Sequence, residues 1–116
     1  MKVLLDENLD HRMRGSLGAH EVFTASYMGW DGLKNGNLIQ TAENDGFEVL
    51  LTGDQSLHHE QNLSGRRLAI IAISAVEWRI VKDHLPLIIT AIGNATPGSY
   101  RAVDCGTFSR KITPEE

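Results

Sequence analysis

The chain is poor in cysteine, in long apolar runs and in positive charge. Cys105 is the only cysteine in 116 residues, which excludes an internal disulfide and leaves a cysteine-based zinc site without its other ligands. The longest apolar stretches, Leu68 to Ile73 and Leu85 to Ile92, fall far short of the ~20 residues needed to cross a bilayer. Strand-like residues begin after a single lysine, so no removable leader is expected, and with no disulfide in prospect the expected location is cytoplasmic. Eleven Lys and Arg against fifteen Asp and Glu give a net charge of -4. That balance disfavours a protein that holds nucleic acid by bulk charge. It does not exclude a nuclease, because a metal in an acidic pocket supplies local positive charge, and Arg12, Arg14, Arg66 and Arg67 would make a basic rim if the fold gathers them. No repeat, low-complexity stretch or linker interrupts the chain, and its length suits one domain.

What the chain does have is a pair of apolar runs that each end in acid. Val3-Leu4-Leu5 runs into Asp6-Glu7-Asn8, and Val49-Leu50-Leu51-Thr52-Gly53 delivers Asp54. An apolar strand has no folding reason to end in adjacent carboxylates. In open α/β sheets, ligands bind in the crevice outside the carboxyl ends of the strands. Two such strands side by side would bring Asp6, Glu7 and Asp54 into one small space, where their mutual repulsion calls for a divalent cation.

Periodicity supports that sheet. Short apolar runs alternate with helical stretches, the pattern of βαβ units and a largely parallel sheet. Strands are expected over Lys2 to Leu5, His20 to Ala25, Phe47 to Thr52, Arg67 to Ser74 and Tyr100 to Val103, the last at an edge. Asn8 suits the N-cap of a short helix through Leu9, Met13 and Leu17. Asn35 to Asp45 reads as an amphipathic helix stopped by Gly46, and Ala75 to Gly93 as a helix kinked or divided at Pro86. Residues 1–109 make the α/β domain, and 110–116 a loose charged tail.

Val3-Leu4-Leu5-Asp6-Glu7-Asn8, the Gly29-Trp30 turn, Lys34-Asn35-Gly36 opening a helix, and Leu51-Thr52-Gly53-Asp54 followed by Gln61-Asn62-Leu63 together resemble the compact bacterial PIN-like proteins. The resemblance runs in order over most of the chain. It implies a three-layer α/β domain with a mostly parallel sheet of four or five strands. It also implies the activity of PIN domains proper, metal-dependent ribonucleases of which many are toxins paired with an antitoxin. On this resemblance Asp6 matches the first metal-binding aspartate and Asp54 the acid of the Thr-x-Asp turn. The chain departs from the pattern where PIN domains carry an aspartate opening the preceding helix. Lys34-Asn35-Gly36-Asn37 has no carboxylate there, and the glutamate of the intervening helix has no evident counterpart.

Each candidate has a structural use as well. Asp6 or Asn8 caps a helix and Glu7 meets its dipole, or Asp6 and Glu7 ligate Mg²⁺ or Mn²⁺. Asp54 after Thr52-Gly53 is good turn chemistry, or the second ligand. Asn8, Asn35, Gln61 and Lys34 position substrate, or cap, turn and face solvent. His58-His59 beside Glu60 lacks a histidine at i+4 to complete a metal face. Cys105 fits a buried thiol better than a nucleophile, and Trp30 anchors its loop or stacks a base.

The expectation is therefore a Mg²⁺- or Mn²⁺-dependent endoribonuclease, with Asp6, Asp54 and Glu7 as catalytic metal ligands and Asn8, Asn35, Gln61 and Lys34 on the RNA. An antitoxin is a candidate protein partner and a homodimer a candidate assembly, and the sequence decides neither. Two alternatives stand beside it. One is a PIN-like module that binds without catalysing. The other, weaker alternative is a receiver-like phosphoacceptor domain, suggested by the acids after the first and third strands and by Ser74 after the fourth.

Overall fold

Five apolar runs pair side by side into one parallel sheet. This is a computed structural model, and it describes residues 1–54 and 65–105, with the side chain of Asn35 excepted. The strands are β1 (Lys2–Leu5), β2 (Glu21–Thr24), β3 (Val49–Thr52), β4 (Ala69–Ile73) and β5 (Tyr100–Val103), in the spatial order β2-β1-β3-β4-β5. Every neighbouring pair is parallel. The chain winds from β1 outward to β2 and later, from β3, to the opposite side through β4 and β5. The switch in direction falls between β1 and β3, and in such sheets the crevice lies at the carboxyl ends of those two strands.

Alternation along the strands divides the interior into two layers, since successive side chains point to opposite faces. Phe23, Leu4, Leu50, Ile70 and Tyr100 stand in one register row and pack with Leu38, Ile39 and Ala42 of helix α1 (Asn35–Asn44). The other face carries Val3, Leu5, Val49, Leu51, Ala69, Ile71 and Ile73. It is covered by a 3₁₀ turn (His11–Gly15), by α2 (Trp78–Val81) and by α3 (Leu85–Gly93). Central strands covered on both sides lose their polar alternation, which is why β3 and β4 are buried at every position.

Helix α1 ends as its sequence dictates. Gly46 has φ +88°, its N–H donates to Glu43 O, and the Phe47 N–H reaches Ala42 O, the Schellman pattern that a left-handed glycine permits. Pro86 lies in the first turn of α3, and a 3₁₀ segment (Lys82–His84) separates α3 from α2, so the expected single helix is divided there. It also starts later than expected, at Trp78. Asn8 caps no helix. Asp10 is the cap of the 3₁₀ turn, its carboxylate accepting the Arg12 N–H. Among the described residues no helix is long and apolar enough to cross a membrane. The expected loose tail lies outside the described residues.

Candidate functional site

The ladder between β1 and β3 runs one residue past the end of β1: Asp6 N–H donates to Leu51 O at 2.9 Å. Asp6 therefore keeps strand alternation and falls on the face of Leu4, while Thr52 falls on the face of Leu50 in the adjoining strand. Their side chains meet. Thr52 Oγ1 donates to Asp6 Oδ2 at 2.7 Å, with Thr52 fully buried and Asp6 only 8 % exposed. The same Oγ1 accepts the Asp54 N–H at 3.0 Å, which fixes the hydroxyl proton toward Asp6. Asp6 Oδ1 accepts the Glu7 N–H at 2.8 Å. Among the described residues each Asp6 oxygen thus holds one hydrogen bond, and a carboxylate oxygen can accept a second.

The two acid-bearing turns are tied a second time. Asn8 Oδ1 accepts the Gly53 N–H at 3.1 Å. Asn8 is exposed, and with its oxygen held by Gly53 its amide nitrogen is turned away from that N–H. A Cβ on Gly53 would run into Val76 Cγ1, which would have to shift, and would touch Asn8 and Leu9. Glu7 is exposed, and its Oε1 accepts the Gly32 N–H at 2.7 Å. That bond fastens the loop after β2 to the acidic edge, where Gly32 holds φ +89°.

Asp54 follows β3 on this same edge. Its charge is felt at Tyr100, whose hydroxyl is pushed up first by burial and then by Asp54. Lys34 is exposed at the extended position before α1. Gln61, His58, His59 and the Asn35 side chain lie outside the described residues.

The expected basic rim is not gathered at this edge. In an all-parallel sheet the residues before β4 lie at the amino-terminal edge, opposite Asp6, and that is where Arg66 and Arg67 stand. Arg66 reaches Glu43 Oε1 at 3.3 Å and Gln40 Oε1 at 3.2 Å. Arg12 binds both oxygens of Asp10, at 3.0 and 2.8 Å, and lies 5.4 Å from the Trp78 ring centroid. That pairing holds the Asp10 carboxyl down at about 2.

Among the described residues no group of three His, Cys, Asp or Glu could hold a metal. A soft-ligand or all-protein cage is therefore not present there. Mg²⁺ asks for less: it is commonly held by one or two carboxylates, with water and substrate phosphate completing the shell. Asp6 and Asp54 follow adjoining strands on one edge, and their carboxylates are the hard oxygen donors that such a cation takes. Thr52 and Gly53, read from the sequence only as the turn before Asp54, are the positions that hold Asp6 and Asn8. The signal was available, since a threonine closing an otherwise apolar buried strand needs an acceptor.

Comparison with protein-family models, with curated proteins and with solved structures finds no match to this chain.

Proposed function

We propose that this chain is a PIN-like ribonuclease in which Asp6 and Asp54 hold one Mg²⁺ or Mn²⁺ against an RNA phosphodiester. The observation that carries the proposal is the Thr52 hydroxyl, which donates to Asp6 and accepts from the backbone of Asp54. A buried carboxylate oriented by a buried hydroxyl is a preorganised ligand, held in place before anything binds. A cation bound there supplies Lewis acidity and an activated water for hydrolysis.

The chain's own groups have distinct parts in this reading. Thr52 and the Glu7 N–H fix the direction of the Asp6 carboxylate. Asn8, braced on Gly53, turns its amide nitrogen outward as a donor for a phosphate oxygen. Glu7 braces the Gly32 loop through Oε1 and acts as an auxiliary through its other oxygen. Lys34 and Gln61 complete the expected contacts to RNA, and an antitoxin would be the matching protein partner.

One feature favours a second reading, binding without catalysis: Lys34-Asn35-Gly36-Asn37 brings no carboxylate to the start of α1, and neutral amides add no charge to hold an ion. The receiver-like reading is weaker, although the strand order is that of flavodoxin-like sheets. Ser74, its required hydroxyl, accepts the Cys105 N–H at 2.7 Å and braces the end of β5.

The test is cleavage of a labelled mixed-sequence RNA in Mn²⁺, Mg²⁺ and EDTA by the protein and by Asp6→Asn and Asp54→Asn. Metal-dependent cleavage lost in both variants supports the ribonuclease. No cleavage, or cleavage that survives both substitutions, moves the conclusion to a PIN-like binding module.

A further inference from the structure

Beside the outer strand β2 lies a notch of about 160 Å³ lined by Arg14, Val22, Phe23 and Tyr27. Tyr27 is 69 % exposed, and the backbone holds it there. Its N–H donates to Thr24 Oγ1 at 3.0 Å, and the turn around it is closed by Met28 N–H to Thr24 O, Gly29 N–H to Ser26 O and Trp30 N–H to Ala25 O. Phe23 backs the ring, with centroids 6.1 Å apart. A large aromatic face displayed from a hydrogen-bonded turn is suited to stacking on another flat ring.

Arg14 supplies the other half. It is exposed at the end of the 3₁₀ turn. The nearest acid in sequence, Asp10, already binds Arg12 through both oxygens. No Asp or Glu is among the residues that line the notch, and Arg14 takes part in none of the ion pairs formed among the described residues. In a chain of net charge -4, a guanidinium with no carboxylate partner among the described residues, set beside a displayed ring, matches the two parts of a nucleotide, phosphate and base.

The notch is also placed for the acidic edge. Val22 and Phe23 pair with Val3 and Leu4, one strand outward and two or three residues back from Asp6. With strands ~4.8 Å apart and a rise of ~3.3 Å per residue, the separation is on the order of 10 Å. Phe23 lies on the face of Asp6, whereas Arg14 belongs to the 3₁₀ turn that covers the other face, so a strand bound at the notch would wrap the free edge of β2.

We propose that Tyr27 and Arg14 form a subsite for single-stranded RNA, Tyr27 stacking a base and Arg14 holding the adjoining phosphate; this rests on the reading of the Asp6 edge as an RNA-cleaving site. Stacking on a π face tolerates any base, so the subsite selects unpaired strands over duplex rather than one sequence over another.

The test measures anisotropy of a short labelled single-stranded RNA in EDTA, where no metal-dependent cleavage intervenes. It compares the protein with Tyr27→Ala, Tyr27→Phe, Arg14→Ala and, on the far edge strand, Arg101→Ala. All three positions are exposed, and unchanged thermal midpoints verify folding. Tyr27→Ala and Arg14→Ala are expected to weaken binding about tenfold each, with Tyr27→Phe and Arg101→Ala within about twofold of the parent. Duplex RNA binds more weakly and does not respond to Tyr27→Ala. Equal binding by the parent, Tyr27→Ala and Arg14→Ala overturns the subsite, as does no binding of RNA at all. Metal-dependent cleavage by a protein whose binding ignores Tyr27 and Arg14 leaves the ribonuclease standing and removes the subsite. Binding that depends on both residues without cleavage does the reverse.

Discussion

Thr52 and Asp6, 46 residues apart in sequence, are joined by a buried 2.7 Å hydrogen bond from hydroxyl to carboxylate. The bond spans β1 and β3 at their carboxyl ends and, with the Gly53 N–H to Asn8 Oδ1 bond at 3.1 Å, holds the two turns in a common geometry. Thr52→Val keeps the shape of the side chain but leaves Asp6 Oδ2 and the Asp54 N–H without their partner. A buried polar group so deprived costs about 1–3 kcal/mol. Urea unfolding should show a lower midpoint with the slope unchanged, and Thr52→Ser should recover most of the loss. A Thr52→Val protein as stable as the parent would mean that the hydroxyl does not anchor the two turns.

Gly53 and Val76 make a second such relationship, in which one residue's lack of a side chain accommodates the other's. The β-branched Val76 is stiff at χ1, and a Cβ on Gly53 would collide with its Cγ1. Gly53→Ala should therefore destabilise by about 1–3 kcal/mol. Adding Val76→Ala should restore part of the loss, giving a coupling energy in a double-mutant cycle. Additive effects of the two substitutions would place the strain elsewhere.

Much of this was legible in the chain, and the exceptions share a cause. β5 was expected at its observed bounds, and α1 to within a residue, because a short apolar edge run and a glycine-stopped amphipathic helix are local signals. Asn8 misled because asparagine before a short helix is also a local signal, whereas its actual partner is the Gly53 N–H, 45 residues away. The third strand was expected from Phe47, but the Phe47 N–H turns back to Ala42 O to finish α1. Of the proposed site, the acids announced themselves by sitting where an apolar strand should end. The hydroxyl that orients Asp6 did not, because its role exists only once Leu5 and Leu51 are in register.

Glu43 sets an acid limit on stability. Burial works against its ionised form, but the N–H groups of Arg67 and Leu68 and the charges of Arg66 and Arg67 outweigh that and hold its carboxyl below 4.5. A folded-state value below the unfolded one adds stability that is complete above about pH 4.5 and is lost as pH falls through the folded value. The thermal midpoint should therefore drop on acidification below that point. Glu43→Gln should be less stable near neutrality and flatter across the same window. Parallel pH profiles for the two proteins would show that Glu43 does not contribute this dependence.

Asp10 should titrate apart from the other surface acids. Its side-chain hydrogen bond with Arg12 is the main cause of its low value, aided by the Arg12 backbone N–H, and together they bring it from 3.8 to about 2. Carboxyl-carbon NMR should find that midpoint. Arg12→Gln should move it back toward 3.8, and a midpoint that ignores Arg12 would show that the pair does not persist in solution.

Metal binding separates the acids by role more directly than cleavage does. A ligand that binds only the folded protein stabilises it by about 2.7 kcal/mol at a hundred times its dissociation constant. For a domain of this size that is a rise of about 10 °C in the thermal midpoint. Saturating Mn²⁺ should produce a rise of that order, and EDTA should reverse it. Asp6→Asn should abolish the shift, because an amide brings no charge to the ion, and Asp54→Asn should reduce it strongly. Glu7→Gln should keep most of it, since glutamine Oε1 can still accept the Gly32 N–H that Glu7 holds at 2.7 Å. Glu7→Ala should keep the shift as well but loosen the loop, seen as faster proteolysis between β2 and α1. An equal Mn²⁺ shift in the parent and in Asp6→Asn would place the cation elsewhere. An equal loss in Glu7→Gln and Asp6→Asn would make Glu7 a full ligand rather than an auxiliary.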